Sequence, residues 1–342
     1  MHIHLVGLGV NGSILARALA WEGHTFSWND SEVDGNPAPH TAWNASTGCI
    51  YPSGDNICNR NYELFPASAS ILGIKYETAD YSFTQSSIPH KGVDAKFYVE
   101  SELSTPQGRL AFMNRPSYHV NPQELVLSTR KLFAERYRAT PPVWSQIIVT
   151  HGFHKAKPTD YRWGWSAAVT LKLRPELIMH TRNHKRICFN LKDGRFRPYY
   201  LYPKEGTNEY YFGTAFQYQK IPKSLDGRDK MEKLLEFLKG NPIASLADIT
   251  AIPGTLREGW RPAYFLDTAS PPFHTKDGVI YLRPQMANGI RHFPLYMEEI
   301  LVHLRKIDGR KTGKKKPTEK STLVIRKAKH ANLRTPKGLQ EF

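Results

Sequence analysis

The chain has 342 residues, enough for two joined lobes at about 150 residues per domain, and its 40% hydrophobic and 12% aromatic content supports a packed core. No stretch nears the roughly 20 consecutive apolar residues of a membrane-spanning helix, and Met1–Val6 lacks the basic start of a secretory signal, so a cytoplasmic protein without membrane contact is expected. Lys plus Arg number 47 against 31 Asp plus Glu, a net charge of +16, of which the segment from 305 onward carries +10; such a tail either attracts polyanions such as nucleic acid or serves only solubility.

In chain order, residues 2–30 predict strand, glycine turn, helix and strand. Ile3, Leu5 and Val6 form a short apolar strand. Ile14, Leu15, Ala18 and Leu19 recur at helical spacing, Gly23 ends the helix, and a second strand stops at Asp30. A βαβ opening of this kind implies a parallel sheet. Between strand and helix stands Gly7-Leu8-Gly9-Val10-Asn11-Gly12, a GxGxxG. Gly7 permits the tight turn, Gly9 lets backbone approach a pyrophosphate, and Gly12 lets helix pack on strand. Asp30, 23 residues after Gly7, stands where a carboxylate accepts ribose hydroxyls. These features fit either a flavin or a nicotinamide dinucleotide.

Residues 31–60, rich in Gly, Pro, Asn and Ser, predict an extended loop system. Asn121-Pro122-Gln123-Glu124 is a helix start: Asn121 caps, Pro122 takes the first position and Glu124 completes a capping box. Leu125, Val126, Leu132 and Phe133 are the expected buried stripe. From about 145 to 220 the pattern predicts an antiparallel sheet, with strands at Ile147–Val149, Ala168–Leu171, Arg186–Phe189, Tyr199–Tyr202 and Tyr210–Thr214. Lys192-Asp193-Gly194 signals a hairpin. Met231–Leu238 predicts an amphipathic helix, Val279–Leu282 a strand, about 289–304 a final helix, and 306–342 a basic tail.

In the β region Tyr161, Trp163, Trp165, Tyr199, Tyr200, Tyr202, Tyr210 and Tyr211 interleave with Arg162, Arg182, Lys185, Arg186, Arg195 and Arg197. Bases stack on aromatics while phosphates meet cations, so this composition suits an exposed nucleotide; core packing and cross-strand pairing account for many of the same residues. Cys49, Cys58 and Cys188 lack metal or disulfide spacing and are expected as free thiols. His151 and His154 have no Cys or Glu beside them, and no metal site is expected.

Several segments, in order along residues 2–304, resemble the FAD-dependent glycine oxidase and D-amino-acid oxidase family. Besides the opening, Asn44-Ala45-Ser46-Thr47-Gly48-Cys49-Ile50 resembles the family's small-residue loop beside pyrophosphate and flavin, and Val120-Asn121-Pro122 its V-[DN]-P segment. Tyr202-Pro203 with Phe212-Gly213-Thr214 is similar to its substrate-domain hairpin, Gly259-Trp260-Arg261-Pro262 to its G-x-R-P motif, and Asn288-Gly289-Ile290 to the N-G-I opening its last helix. Ser31 and Ala287 depart from the family's arginines, and the second departure points away from a free small amino acid. The chain is also similar to the FAD domain of the tRNA wobble-uridine modification enzyme and to phage thymine-hypermodification flavoenzymes.

The resemblance implies an α/β fold with a Rossmann-like FAD-binding domain, from 1–80, 110–170 and 275–305, and a mostly antiparallel β substrate domain from 81–109 and 171–274. It implies FAD held by Gly7, Gly9, Asn11, Gly12, Asp30, Ser46, Thr47, Gly48, Asn288, Gly289 and Ile290. Arg261 is the implied carboxylate anchor, with an interlobe ion pair as its alternative; Arg291 and His292 are candidates for contact with flavin or substrate, a structural histidine being preferred at 292. The implied reaction is oxidative cleavage of a glycine-like secondary amine, with the base-tethered form in DNA preferred over RNA on the charge. The rival readings are oxidation of a free amino acid, a non-catalytic nucleic-acid-binding module, and a nicotinamide-dependent dehydrogenase.

Overall fold

The computed structural model describes residues 1–30, 43, 48–52, 56–84, 99–105, 108–150, 161–172, 187–191, 199–203, 209–218, 254–255, 257–264, 272–282, 290 and 293–312. In chain order the elements are β1 (His2–Val6), α1 (Val10–Trp21), β2 (Thr25–Asn29), β3 (Cys49–Ile50), α2 (Asn56–Ile71), β4 (Glu77–Thr84), β5 (Val99–Thr105), β6 (Gly108–His119), α3 (Pro122–Leu132), β7 (Gln146–Val149), β8 (Tyr161–Lys172), β9 (Ile187–Leu191), β10 (Tyr199–Pro203), β11 (Glu209–Tyr218), β12 (Arg257–Tyr264), β13 (Phe273–Lys276), β14 (Val279–Leu282) and α4 (Phe293–Thr312). They form two sheets, ordered β13-β14-β7-β1-β2 and β12-β8-β11-β10-β9-β4-β6-β3, with β5 paired to β6.

The βαβ opening forms as its periodicity predicts. α1 buries Ile14, Leu15, Ala16, Ala18 and Leu19, and ends where Gly23 turns left-handed at φ 77°. There the Gly23 N–H bonds the Ala20 carbonyl and the His24 N–H the Leu19 carbonyl, a Schellman closure that leaves those carbonyls satisfied. β1 pairs in parallel with β2 on one side and with β7 on the other. Ile147–Val149 therefore belongs to the parallel sheet and not to the expected antiparallel one. A short apolar run reads alike in either sheet, since both bury it.

The second sheet is antiparallel except where β4 runs parallel to β9. β9 and β10 are adjacent and antiparallel, as the hairpin signal requires; its turn lies outside the described residues, as do the expected helix at 231–238 and the tail beyond 312. The predicted strand at 279–282 is β14, whereas β4, β5 and β6 had no equivalent in the sequence reading.

Three helices refine the sequence reading. α3 starts at its cap: the Asn121 side chain accepts from the Gln123 and Glu124 N–H groups at 3.0 and 3.2 Å. The Glu124 carboxylate meets Lys75 at 3.0 Å. Leu125, Val126, Thr129, Arg130 and Phe133 face inward, whereas Leu132 is 55% exposed; one residue short of Phe133 is about 100° off the stripe. α2 replaces the tail of the expected loop system. Its Asn, Ser and internal Pro66 disfavour a helix, but Leu64, Phe65, Ser68 and Ala69 are buried and tertiary packing overrides the local preference. α4 continues eight residues beyond the expected end at 304, and its Leu295 N–H is capped by buried Asn61 of α2 at 3.0 Å. Phe65 and Phe293 meet edge to face beneath that cap.

Three histidines sit where charge is disfavoured. His4 is buried within β1, with Nδ1 2.8 Å from the Ser27 hydroxyl. Burial lowers its pKa, aided by His2, while a hydrogen bond to Asn29 opposes the shift. Burial is also the leading cause of lowered values at His2 and at His24, where Glu22 acts in opposition. Each folded-state value lies below the ordinary 6.5, so between the two the unfolded chain binds more protons. The contribution is fully present above pH 6.5 and is lost as pH falls through the folded values. The urea midpoint should therefore drop from pH 8 to pH 6, before carboxylates titrate; a constant midpoint over that interval would contradict the burial of these rings.

Candidate dinucleotide site

The site grows from the end of β1. Gly7 adopts φ 99°, a left-handed conformation that side chains resist, and its N–H bonds the Asn29 carbonyl at 2.8 Å. From the end of β7, the Thr150 hydroxyl donates to the Gly7 carbonyl and the Thr150 N–H to the Val6 carbonyl at 2.9 Å. Three parallel strands thus fix one turn. Gly9 is the N-cap of α1, and no side chain caps this end. No acidic residue stands in the first turn, so its N–H groups and helix dipole favour an anion such as a pyrophosphate, with Asn11 in that turn. A Cβ on Gly12 would fall on the Gly7 carbonyl oxygen and lie 2.7 Å from the Thr150 hydroxyl. Helix and strand approach so closely only because that position is glycine.

Asp30 ends β2, where its spacing placed it. Its Oδ2 accepts the Leu8 N–H at 2.6 Å and a guanidinium N–H of Arg130 at 2.8 Å, and both side chains are about nine-tenths buried. The Arg130 guanidinium lies 5.8 Å from the centre of the buried Trp43 ring, and Trp43 is also the neighbour that a Cβ on Gly9 would meet, at 3.7 Å. Arg130 and Trp43 are the site residues that sequence reasoning missed. A lone arginine on a helix reads as solvated; the only available signal was its position four residues after Val126 on the buried stripe.

Gly48 belongs to the same frame. It is left-handed at φ 63°, its carbonyl accepts the Val120 N–H at 3.1 Å, and a Cβ there would fall on the Val120 carbonyl. Gly48 is thereby docked on the entry to α3. Ile290 is buried just before α4. Ser46, Thr47, Asn288, Gly289, Arg291 and His292 lie outside the described residues, as do His151 and His154, and among the described residues no His, Cys, Asp and Glu cluster could hold a metal ion. Nor, among them, is any helix long and apolar enough to cross a membrane.

Arg261 lies in β12 at the edge of the nine-stranded sheet, opposite Gly164 of β8, which in turn pairs with Gln217 of β11. Strand alternation sorts the positions around it. Gly259, Ala263, Ser166, Ala215 and Gly213 share the face of position 261, whereas Trp163, Trp165, Trp260, Phe216 and Tyr218 occupy the other. The aromatic and basic interleaving in β8 is thus a consequence of the two-residue period: Tyr161, Trp163 and Trp165 fall on one face and Arg162 on the opposite one.

No protein-family model matches the chain, and no curated protein matches it by sequence. Its fold is shared with solved structures. Iminodiacetate oxidase from Chelativorans sp. BNC1 matches with TM-score 0.58 and 15% identity over 93% of this chain and 96% of that one. Fructosamine oxidase (Amadoriase II) from Aspergillus fumigatus matches with TM-score 0.56 and 12% identity over 90% and 86%. Glycerol-3-phosphate dehydrogenase from Bacillus halodurans, solved with FAD, matches with TM-score 0.56 and 11% identity over 93% of this chain, which spans 66% of that protein. The architecture is accordingly the D-amino-acid-oxidase-like α/β fold, with a Rossmann-like parallel sheet joined to a largely antiparallel one.

Two substitutions test the site's framework. Arg130→Ala leaves the Asp30 carboxylate buried beside a cavity and should cost about 3 kcal/mol in urea unfolding. Gly12→Ala should separate α1 from β1 and abolish retention of any bound dinucleotide. Wild-type stability for Arg130→Ala, or undiminished cofactor content for Gly12→Ala, would contradict this geometry.

Proposed function

We propose that the protein is an FAD-dependent oxidoreductase acting on CH–NH bonds, and that its substrate is a glycine-like secondary amine carried on a modified thymine or uracil base in DNA. The observation that carries the cofactor is the glycine turn with its uncapped helix end, set in a fold that a neighbour uses in complex with FAD. The residues fit the group: the Gly7–Gly12 backbone and the first turn of α1 would hold the pyrophosphate, and Asp30, oriented by Arg130, would hold the adenosine ribose. When bound, FAD supplies the acceptor for a hydride from the carbon beside the amine nitrogen.

Arg261 holds the carboxylate of the substrate through two parallel hydrogen bonds and so selects the C–H that reacts. Small residues next to position 261 on its sheet face, Gly164, Gly259 and Ser166, suit an amine with a bulky second substituent. Loss of a hydride and a proton turns the –NH–CH2– unit into an imine. Water then adds and splits it into a primary aminomethyl base and glyoxylate, while dioxygen takes the two electrons and two protons and leaves as hydrogen peroxide. The amine half draws support from a neighbour named for iminodiacetate, itself a secondary amine with carboxymethyl arms. The polymer half draws on the +16 charge concentrated toward the C-terminal end. A second reading, oxidation of a free amino acid, is favoured by structural neighbours named L-amino acid deaminase.

The purified protein should show flavin absorption that bleaches anaerobically with an oligonucleotide carrying 5-(carboxymethylaminomethyl)uracil, and should release one glyoxylate per base in air. Arg261→Gln should keep the absorption and lose about 100-fold in kcat/KM. A colourless protein that cannot be reconstituted with FAD would end the proposal, and turnover of free glycine without turnover of the oligonucleotide would replace its substrate.

A further inference from the structure

At the opposite end of the parallel sheet from the glycine turn, a cleft of about 570 Å³ opens beside the first residues of β1 and β2. β1 rises roughly 3.3 Å per residue, so His2 and Val6 stand about 13 Å apart and this cleft is separate from the dinucleotide turn. Its walls include Arg136, Arg138, His2, His24, Thr25 and Glu135. Arg136 is held in place by its guanidinium, 4.5 Å from the Phe26 ring centre and 5.3 Å from that of Phe133. Arg138 is exposed and donates to the Glu135 and Tyr137 carbonyls, which fixes its guanidinium near the rim. The Trp144 ring stands edge-on to His2 with centroids 5.4 Å apart, yet is 71% exposed, and Val143 beside it is fully exposed.

We propose that this cleft is an exosite for the backbone of a single-stranded nucleic acid, with Arg136 and Arg138 at phosphates and Trp144 as a platform for one base. The assignment rests on the nucleic-acid substrate proposed above and adds where the polymer is held while a remote base is processed. An indole left in water offers a π-face that any base can stack on, and two guanidinium groups at one cleft can meet the phosphates of the same strand. Opposing charge comes from Glu135, whose carboxylate lies 3.7 Å from the Arg136 guanidinium at an exposed site where phosphate competes for it, and from the nearby end of α1, about half a charge already engaged in the Gly23 closure. His2 and His24 are kept mostly neutral by burial, so the guanidinium pair supplies the cationic character at neutral pH.

The test is fluorescence anisotropy of a labelled, unmodified (dT)15 strand with the full-length protein. Trp144→Ala should weaken binding about ten-fold, while Trp144→Phe retains most of the affinity. Arg136→Gln/Arg138→Gln should lower the slope of log affinity against log salt by about 1.4, at roughly 0.7 per lost phosphate contact. Arg138→Gln alone, at an exposed side chain, should give half that change and guards against loss of the Arg136 packing. Unchanged affinity and slope in all variants would overturn the exosite, including the case in which the C-terminal lysines and arginines carry DNA binding alone. The readout is binding of unmodified DNA, so it can succeed even if no base is oxidised and can fail while oxidation proceeds.

Discussion

The contact on which the site depends is the one between Asp30 and Arg130. It joins the residue after β2, the turn after β1 and the last turn of α3, pieces of chain that are far apart in sequence. A carboxylate buried to this extent is tolerable only with charged and N–H donors on it. The arginine in turn reaches it only because Asn121 starts α3 in the right phase. Gly48 locks the segment just before that helix onto β3.

The legible parts of this sequence were those whose local chemistry has one solution. A strand running into GxGxxG, a helix closed by Gly23 and an acid at 30 leave little choice, and strand, helix and strand form in that order at those places. Asn121-Pro122 was equally plain, because cap and proline act within three residues. Where partners lie far away, the sequence is mute. Ile147–Val149 has the same apolar character whichever sheet receives it, and α2 is written in Asn, Ser and Pro that only distant burial makes helical. Arg130 shows the same limit in a functional residue, since its importance comes wholly from Asp30, a hundred positions earlier.

The second sheet gives the opposite lesson about composition. Tryptophans and tyrosines alternating with arginines look like a mixed surface when counted along the chain. Folded into β8, β11 and β12 most of the aromatics fall on one face, whereas position 261 shares the other with glycines, alanines, Ser166, Arg162 and Tyr211. Beside position 261 on that face stand Gly164, Gly259 and Ala263, small residues of which only Gly259 was part of a motif in the sequence.

The parallel sheet also dictates an order of assembly on the ribosome. β1 and β2 emerge first, but β1 is flanked by β7 and the sheet is completed by β14, some 250 residues after β2. At roughly 5–20 residues per second, the sheet that carries the glycine turn waits about 12–50 s for its last parallel strand. Throughout that interval α1 lacks the cover that α4 finally provides. Chains of this design are most exposed to misassociation during synthesis, and slower translation lengthens that exposure.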